Sequence, residues 1–349
     1  MVGELIPTPF DPRMAGRDSW TRFHELRRLQ QEETRPEEPV EPDADVEAQM
    51  TRENAFEYEH RFEISLGETM LSWMSATTVK PDNPEYETNK HLFWADAYVR
   101  PANRGQGIAS LWLPTVAELM DRHGCTVLGL HASVEPGHAF LKWLGAEPKL
   151  RNVVSRLELS QVDWEMVERW AAEGASRNPA TRLEIYDGGV PESMWPEFAP
   201  QMTAMFNTMP LEDLDLGTQI FTPELLRDFS ERRAMSGEVL YTVLTREPNG
   251  SITGLTDTGW AAYRRTVLHQ WFTGVRSDAQ GRGLGKWIKA AMLVHVRELH
   301  PDLECVVTDN AQSNGPMLKI NRALGFKEHR VEVHYQISRA ALEARIRSL

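Results

Sequence analysis

Two glycine-rich loops in this chain centre on Gly107 and Gly283, 176 positions apart, and two further landmark pairs, Cys125 with Cys305 and Gly145 with Gly325, are each 180 apart. Three landmarks on nearly one offset imply an internal duplication, with a difference of four residues in the length of the second copy. Each loop follows a strand-like run, His91 to Val99 or Val267 to Val275, and opens a segment with helical apolar spacing. The architecture expected is two copies of one mixed α/β unit. The length of 349 residues agrees, because a single hydrophobic core stops growing well before that size.

The domains expected are 1–159, then a helix and linker over 160–181 in which Glu173 to Ala180 is the linker proper, a second domain over 182–338, and a helical tail over 339–349. Glu32 to Glu47 holds eight acids, one arginine and three prolines without apolar periodicity and reads as a solvated loop. Pro114, inside the helix that follows the first loop, should bend or break it. Two cysteines cannot build a disulfide framework or a four-cysteine metal site, and no metal is expected. The N-terminal stretch lacks the basic end and apolar run of a signal peptide, and no segment approaches the ~20 apolar residues of a membrane span, so a cytoplasmic protein is expected. A formal charge of −13 argues against non-specific binding to nucleic acid. Of that charge −11 lies in residues 1–180 and −7 in Glu32 to Glu47 alone, which leaves the second half nearly neutral and the charge uninformative about the substrate.

Gln280-Gly281-Arg282-Gly283-Leu284-Gly285 and Arg104-Gly105-Gln106-Gly107-Ile108-Ala109 can each turn the backbone so that successive N–H groups and a helix N-terminus face one anion, with a pyrophosphate as the natural guest. A turn chosen only for geometry would explain one such loop, but two in matching contexts are harder to explain that way. Neither is followed by the Gly-Lys-Ser/Thr of a P-loop, and neither completes a dinucleotide fingerprint.

The pattern Gln/Arg-x-x-Gly-x-Gly/Ala, after an extended strand and opening a helix, resembles the acetyl-CoA pyrophosphate loop of the GNAT acetyltransferase superfamily. In the second half the similarity continues through Thr308 to Phe326, and the whole chain resembles the tandem, mycothiol-synthase-like layout of two GNAT units. The resemblance implies a mixed, mostly antiparallel sheet flanked by helices in each unit, and acetyl-CoA (coenzyme A) as the donor. It implies that the strand ending at Val275 bonds the pantetheine amides and that Gly281 to Gly285 hold the pyrophosphate. Asn310, Asn314 and Met317 would lie beside the cofactor, although Met317 could equally be packing and Asn314 a helix cap. The tyrosine that often protonates the leaving thiolate is replaced by Asn321. In the first half Leu141, Val134 and Ala146 replace the tyrosine, asparagine and phenylalanine, so the first half is expected to be catalytically degenerate and the second to be the working one.

Transfer to an amine needs a polarised thioester carbonyl and a base for the ammonium. The strand Val267 to Val275 has no carboxylate, and His269 is its only titratable residue; a free imidazole, with a pKa of about 6.5, suits the task. Asp257, Glu332 and Tyr335 are rivals, and a packed or surface histidine is the competing reading of His269. Cys305 reads as buried filler. Glu212, Asp213 and Asp215 lie where such proteins build an acceptor lid, or form an ordinary solvated loop. The function expected is N-acetyl transfer to the amine of a small metabolite by a monomer or homodimer. The alternatives are a non-catalytic CoA-binding accessory protein, or transfer to oxygen or of a longer acyl group.

Overall fold

A computed structural model describes residues 5–349. Contacts divide the chain into two units, the first made of residues 1–151, 213–218 and 332–349, the second of 152–212 and 219–331.

In chain order the elements are β1 (Thr8–Pro9), α1 (Arg17–Thr34), α2 (Asp43–Thr51), β2 (Glu57–Leu66), β3 (Thr69–Val79), α3 (Tyr86–Asn89), β4 (Leu92–Val99), α4 (Trp112–His123), β5 (Val127–Ala132) and α5 (Glu135–Leu144). There follow β6 (Glu147–Glu158), α6 (Trp164–Arg177), β7 (Arg182–Asp187), α7 (Trp195–Phe206), α8 (Pro223–Met235), β8 (Glu238–Arg246), β9 (Ile252–Ala261), β10 (Val267–Val275), α9 (Leu284–Leu299), β11 (Cys305–Ala311), α10 (Gly315–Leu324), β12 (Lys327–Ser338) and α11 (Arg339–Arg347).

The strand order in the first unit is β1-β2-β3-β4-β5-β12, antiparallel except for the β4/β5 pair. In the second unit it is β6-β11-β10-β9-β8-β7, antiparallel except for β10/β11. Each is the mixed, mostly antiparallel sheet expected. The strand that closes each unit comes from the other sequence half: β12 joins the first unit and most of β6 the second. The boundaries of the contact units therefore depart from the halves of the duplication. Helix α11 follows β12 into the first unit, with Leu342 in its core and Arg339 gripping Asp121 at 2.6 and 2.8 Å.

In both units the parallel pair is short. Strands β4 and β5 are in register only from Leu92/Val127 to Trp94/Gly129, and β10 and β11 only from Val267/Cys305 to Gln270/Thr308. Beyond those points the strands part. In the second unit Trp271 is a bulge between Gln270 and Phe272, which turns the rest of β10 away. A parted parallel pair exposes backbone N–H and C=O groups that no neighbouring strand satisfies, a ready-made edge for an extended ligand.

Several local expectations are corrected. Helix α1 runs through Thr34 and α2 begins at Asp43, so only 35–42 of the acidic stretch is irregular. The acids there are fastened rather than simply solvated: Asp43 accepts from Arg27 at 2.6 Å and pairs with Arg28, while Glu47 meets the buried His24 at 3.1 Å. Helix α1 carries Trp20, Phe23 and Leu26 into a core with Phe10, Met70 and Tyr98, each such burial being worth roughly 1.5–3 kcal/mol. Pro114 falls in the first turn of α4, where a missing N–H costs nothing, and the helix runs on to His123. The stretch Glu173 to Ala180 is not a free linker, because α6 continues to Arg177. Gly174 packs so closely on α9 that a Cβ there would lie 2.1 Å from Trp287.

Candidate active sites in the two clefts

In the second unit the loop Gln280 to Gly285 enters the parted end of β10. Gly281 and Gly283 have φ of +79° and +83°, a region that a side chain makes costly, and α9 starts directly after Gly283. Its first-turn N–H groups therefore continue the row of amides from the loop. Gly285 brings α9 against its neighbours, since a Cβ there would meet Ile320 at 3.2 Å and Val275 at 3.6 Å. Arg282 turns away from the loop: it pairs with Glu247 at 2.8 Å and bonds Thr181 at 2.7 Å and Asn178 at 3.1 Å. Its role in this arrangement is to fasten the loop, leaving the backbone to meet an anion. Gln280 reaches back to the Val275 carbonyl at 3.5 Å, the rim of the strand edge.

Asn314 caps α10, its side chain accepting from the N–H of Met317 at 3.3 Å, so the capping use is the one realised; Met317 is half-buried on the same helix. Asn321 is 2% exposed and donates to Asn310 at 2.7 Å, which ties α10 to β11, while its Oδ1 has no partner among the described residues. An amide in this place orients its surroundings but cannot act as an acid.

His269 lies in register with Gly259 and Val307, with its ring edge-on to Trp271 at 5.1 Å. Alternation turns it away from the α9 side, where Leu268 is buried. Asp257 is the stronger titratable group of this face. It sits opposite Phe272 across the bulge, 8% exposed, and accepts from Thr242 at 2.5 Å. Burial pushes its carboxyl up to about 6, and the Thr242 hydrogen bond and the charge of Arg233 oppose that only in part. Cys305 is fully buried among Val154, Val267 and Val307.

In the first unit Gly105 and Gly107 repeat the backbone of the second loop, with φ of +74° and +80°. Here a 3-10 turn, Ile108–Leu111, with Ala109 and Ser110 inside it, separates the loop from α4. Arg104 grips Glu33 of α1 through two contacts of 2.6 Å and bonds the Val99 carbonyl at 3.1 Å, and Glu33 also takes the Tyr98 hydroxyl at 2.9 Å. Gln106 donates to the Ala102 carbonyl at 3.4 Å. Beneath the loop, between α4, α5 and the parted strands, lies a cavity of about 510 Å³ with walls that include Ala97, Val99, Leu113, Leu130 and Phe140.

On the other face of this first sheet is a group of residues that no motif in the sequence marks. Trp94 stands at the last paired position of β4 and fills the space over Gly129, where a Cβ would lie 2.3 Å from its ring. One step beyond, Asp96 lies 3.8 Å from Nε2 of His131, and His131 pairs across β5/β12 with His334, which Trp94 meets edge-on at 6.3 Å. The only sequence signal was an acid in an otherwise apolar strand, Phe93-Trp-Ala-Asp-Ala-Tyr98. Tyr335, a rival base for the second half on sequence grounds, belongs to the first unit, where its hydroxyl meets Nδ1 of His138 at 2.9 Å; Glu332 is on the same strand. The acidic lid is likewise divided. Glu212, at φ +51°, takes the Ser313 N–H at 3.2 Å in the second unit. Asp213 and Asp215 belong to the first, Asp215 meeting His91 at 3.0 Å.

Residues 20–146 match the Acetyltransferase (GNAT) family. No functionally curated protein matches the sequence. Among solved structures, a tandem GNAT protein from the clavulanic acid biosynthesis pathway superposes with a TM-score of 0.74 at 18% identity, over 96% of this chain and 99% of that one. A GCN5-related N-acetyltransferase from Sphaerobacter thermophilus follows at 0.65 and 15%, over 96% of each chain. A GCN5-related glucosamine N-acetyltransferase region of a fungal multi-domain β-N-acetylglucosaminidase gives 0.63 at 12%, over 95% of this chain and 38% of that one. At these identities the structures share the fold. No helix among the described residues is long and apolar enough to cross a membrane.

Proposed function

We propose that this chain, whose residues 20–146 match the Acetyltransferase (GNAT) family and whose fold is shared with a tandem GNAT protein, is an acyltransferase that moves an acetyl group from acetyl-coenzyme A to the amine of a small metabolite, and that the chemistry lies in the second unit. The observation that carries the assignment to that unit is the continuous row of N–H groups from Gly281 into the first turn of α9, facing the parted end of β10, with a carboxyl raised to about 6 on the neighbouring strand.

The residues present fit the donor. The loop amides would take the pyrophosphate, and the free edge of β10 up to Val275 would bond the pantetheine amides. The donor supplies an activated thioester. The chain's own part is to hold the carbonyl near backbone donors at the strand fork and to take a proton from the ammonium so that its lone pair is free. Asp257, ionised above about pH 6, would accept that proton, and its buried position beside the fork, with His269 on the same face, supports the reading. Asn321, an amide, has no proton to give a leaving thiolate, so the chain's own contribution there is to hold Asn310 on β11.

Release of free CoA from acetyl-CoA by the full-length protein, measured against a panel of primary amines, tests this. Turnover should fall by at least about a hundredfold in Gly283→Trp, which blocks the loop, and comparably in Asp257→Asn. Binding of CoA without turnover on any amine would leave an accessory CoA-binding protein and overturn the enzymatic reading.

A further inference from the structure

The face of the second sheet that carries Asp257 holds further groups that acetyl transfer as such does not require. Trp271, the bulge residue of β10, keeps 49% of its surface exposed. Its indole N–H donates to Glu238 of β8 at 2.7 Å, so this hydrogen bond spans β9, and it passes over Gly259. A Cβ at Gly259 would collide with both the Glu238 carboxylate and the indole nitrogen, so glycine is what leaves room for the bridge. The other oxygen of Glu238 faces the buried Arg264 at 3.5 Å, and Arg264 also donates to the Gly259 and Val267 carbonyls at 2.9 and 3.0 Å. The indole is thus fixed at its polar edge while its apolar surface stays open beside His269, and the charge of Glu238 is already answered.

Arg233 reaches the same face from α8. It follows Leu226 and Phe229 at helical spacing, and Leu226 packs with Leu255 and Phe272 on this side of the sheet, so Arg233 continues that stripe at the end of the helix. Its charge is felt by Asp257, whose carboxyl it pulls down against the larger effect of burial. The adjacent Arg232 is paired with Asp228 at 2.8 Å, whereas the half-buried side chain of Arg233 has no hydrogen bond or ion pair among the described residues.

We infer that the acceptor is an amino-acid-like zwitterion: Arg233 receives its carboxylate, its amine faces Asp257, and its side chain lies on the indole of Trp271. The inference rests on the acetyl-transfer reading and gives the acceptor of that reaction a chemical class.

The charges on this face select against a plain amine. An ammonium entering alone would meet an unanswered guanidinium, and Glu238, held by Arg264 and Trp271, offers it little in return. A ligand that brings its own carboxylate cancels the charge of Arg233, and the planar guanidinium fork matches a carboxylate with two parallel N–H bonds. The open indole takes an apolar or aromatic side chain and, being held by Glu238, loses little freedom in doing so. The carboxylate takes no part in bond making, so the bonds formed and broken are those of the transfer itself.

The test compares acceptors that differ only in the carboxylate, phenylalanine against phenethylamine and leucine against 3-methylbutylamine, using the full-length protein and acetyl-CoA. Wild type should prefer the amino acid in kcat/KM by about ten- to a hundredfold, the range expected of one charge-assisted pairing. Arg233→Gln should remove the preference, chiefly by raising KM for phenylalanine, and should improve phenethylamine by relieving the repulsion; Arg233→Lys should restore part of it. Trp271→Ala should raise KM for phenylalanine more than for alanine. A variant that had merely lost its fold would fall on every acceptor alike. Calorimetric titration of phenylalanine and phenethylamine in the presence of free CoA should show the same order without turnover. If wild type acetylates both members of each pair equally well, or if Arg233→Gln keeps the preference, this acceptor class is refuted while the transfer reading stands. If wild type turns over no amine of either kind, the transfer reading falls and takes this one with it.

Discussion

Replacing Asp257 with asparagine should make the protein more stable at pH 8 than at pH 4, relative to wild type, while making it a poorer enzyme. The carboxyl is raised from 3.8 to about 6 by burial, so in this pH interval the folded chain holds a proton that the unfolded chain has released. Stability contributed by the protonated carboxyl is fully present below about pH 4 and is lost as pH rises through about 6. A gap of about two pH units corresponds to about 3 kcal/mol. Asparagine keeps the acceptor for Thr242 and cannot ionise, but its extra N–H adds a cost of its own. That cost does not vary with pH, so the quantity to measure is the change in the stability difference between variant and wild type, by urea unfolding at pH 4 and pH 8. The difference should move in favour of the variant by about 3 kcal/mol across the interval, or roughly 6–12 °C in Tm if the second unit melts as a domain of ordinary size. Turnover on the best amine should fall by at least about a hundredfold, and the wild-type rise of kcat/KM through about pH 6 should disappear. A constant stability difference over the whole range would mean that Asp257 is not the buried, raised carboxyl described, and an unchanged pH–rate profile would remove it as the base.

Two packing features make independent predictions. A Cβ at Gly174 would lie 2.1 Å from Trp287, so Gly174→Ala should lose about 1–3 kcal/mol in chemical denaturation even though alanine is the better helix former. In the first unit Nε2 of His60 and Nε2 of His123 share a hydrogen bond at 2.8 Å, which needs one ring to stay neutral, and His60 is pushed down to about 4 by burial first and then by the charges of His123 and Arg122. Stability present above about pH 6.5 should therefore drain away as pH falls towards 4, by up to about 3 kcal/mol, and His60→Gln should flatten that acid limb in a series of thermal melts.

The glycine loops, the strand before each and the helix after each were legible because they rest on residue types with a backbone consequence. Positive φ at Gly105, Gly107, Gly281 and Gly283 is something that only glycine supplies cheaply, so spacing alone reveals it. Helix α1 was missed because its four large apolar residues, Trp20, Phe23, Leu26 and Leu29, are set among charges, and no side chain caps its start at Gly16. The acidic stretch misled for a related reason: its charges have partners on α1, His24, Arg27 and Arg28, that composition does not display. The closing strands misled because a duplicated sequence says which segments are alike, whereas hydrogen bonding decides where each one pairs. Strand β12 satisfies β5 from Val333/Ala132 to Ser338/Val127, and that register moved Tyr335 and Glu332 out of the second unit's site. The Asp96–His131 pair was invisible because its members are 35 positions apart and meet only where two strands diverge.

The two forks share what the backbone provides and differ in what the side chains provide. At the offset of 176 that matches Val99 to Val275, Asp96 of the first copy falls on Phe272 of the second, but the extra residue of the Trp271 bulge makes the offset 175 before it, so that Trp94 falls on His269. His269 meets Trp271 edge-on at 5.1 Å, and Phe272 stacks on Phe206. A carboxylate and an indole at one fork have become an aromatic core residue and an imidazole at the other. The helices laid against the two sheets differ as well: Phe198 and Met202 of α7 pack with Leu255 and Phe272, whereas α1 packs on Phe10 and Met70. A loop that meets an anion through amide N–H groups tolerates such drift, because no side chain is needed. The same backbone in both loops therefore lies beside faces of different chemistry, one an open carboxylate–aromatic pair and the other a buried carboxyl beside His269 and Trp271.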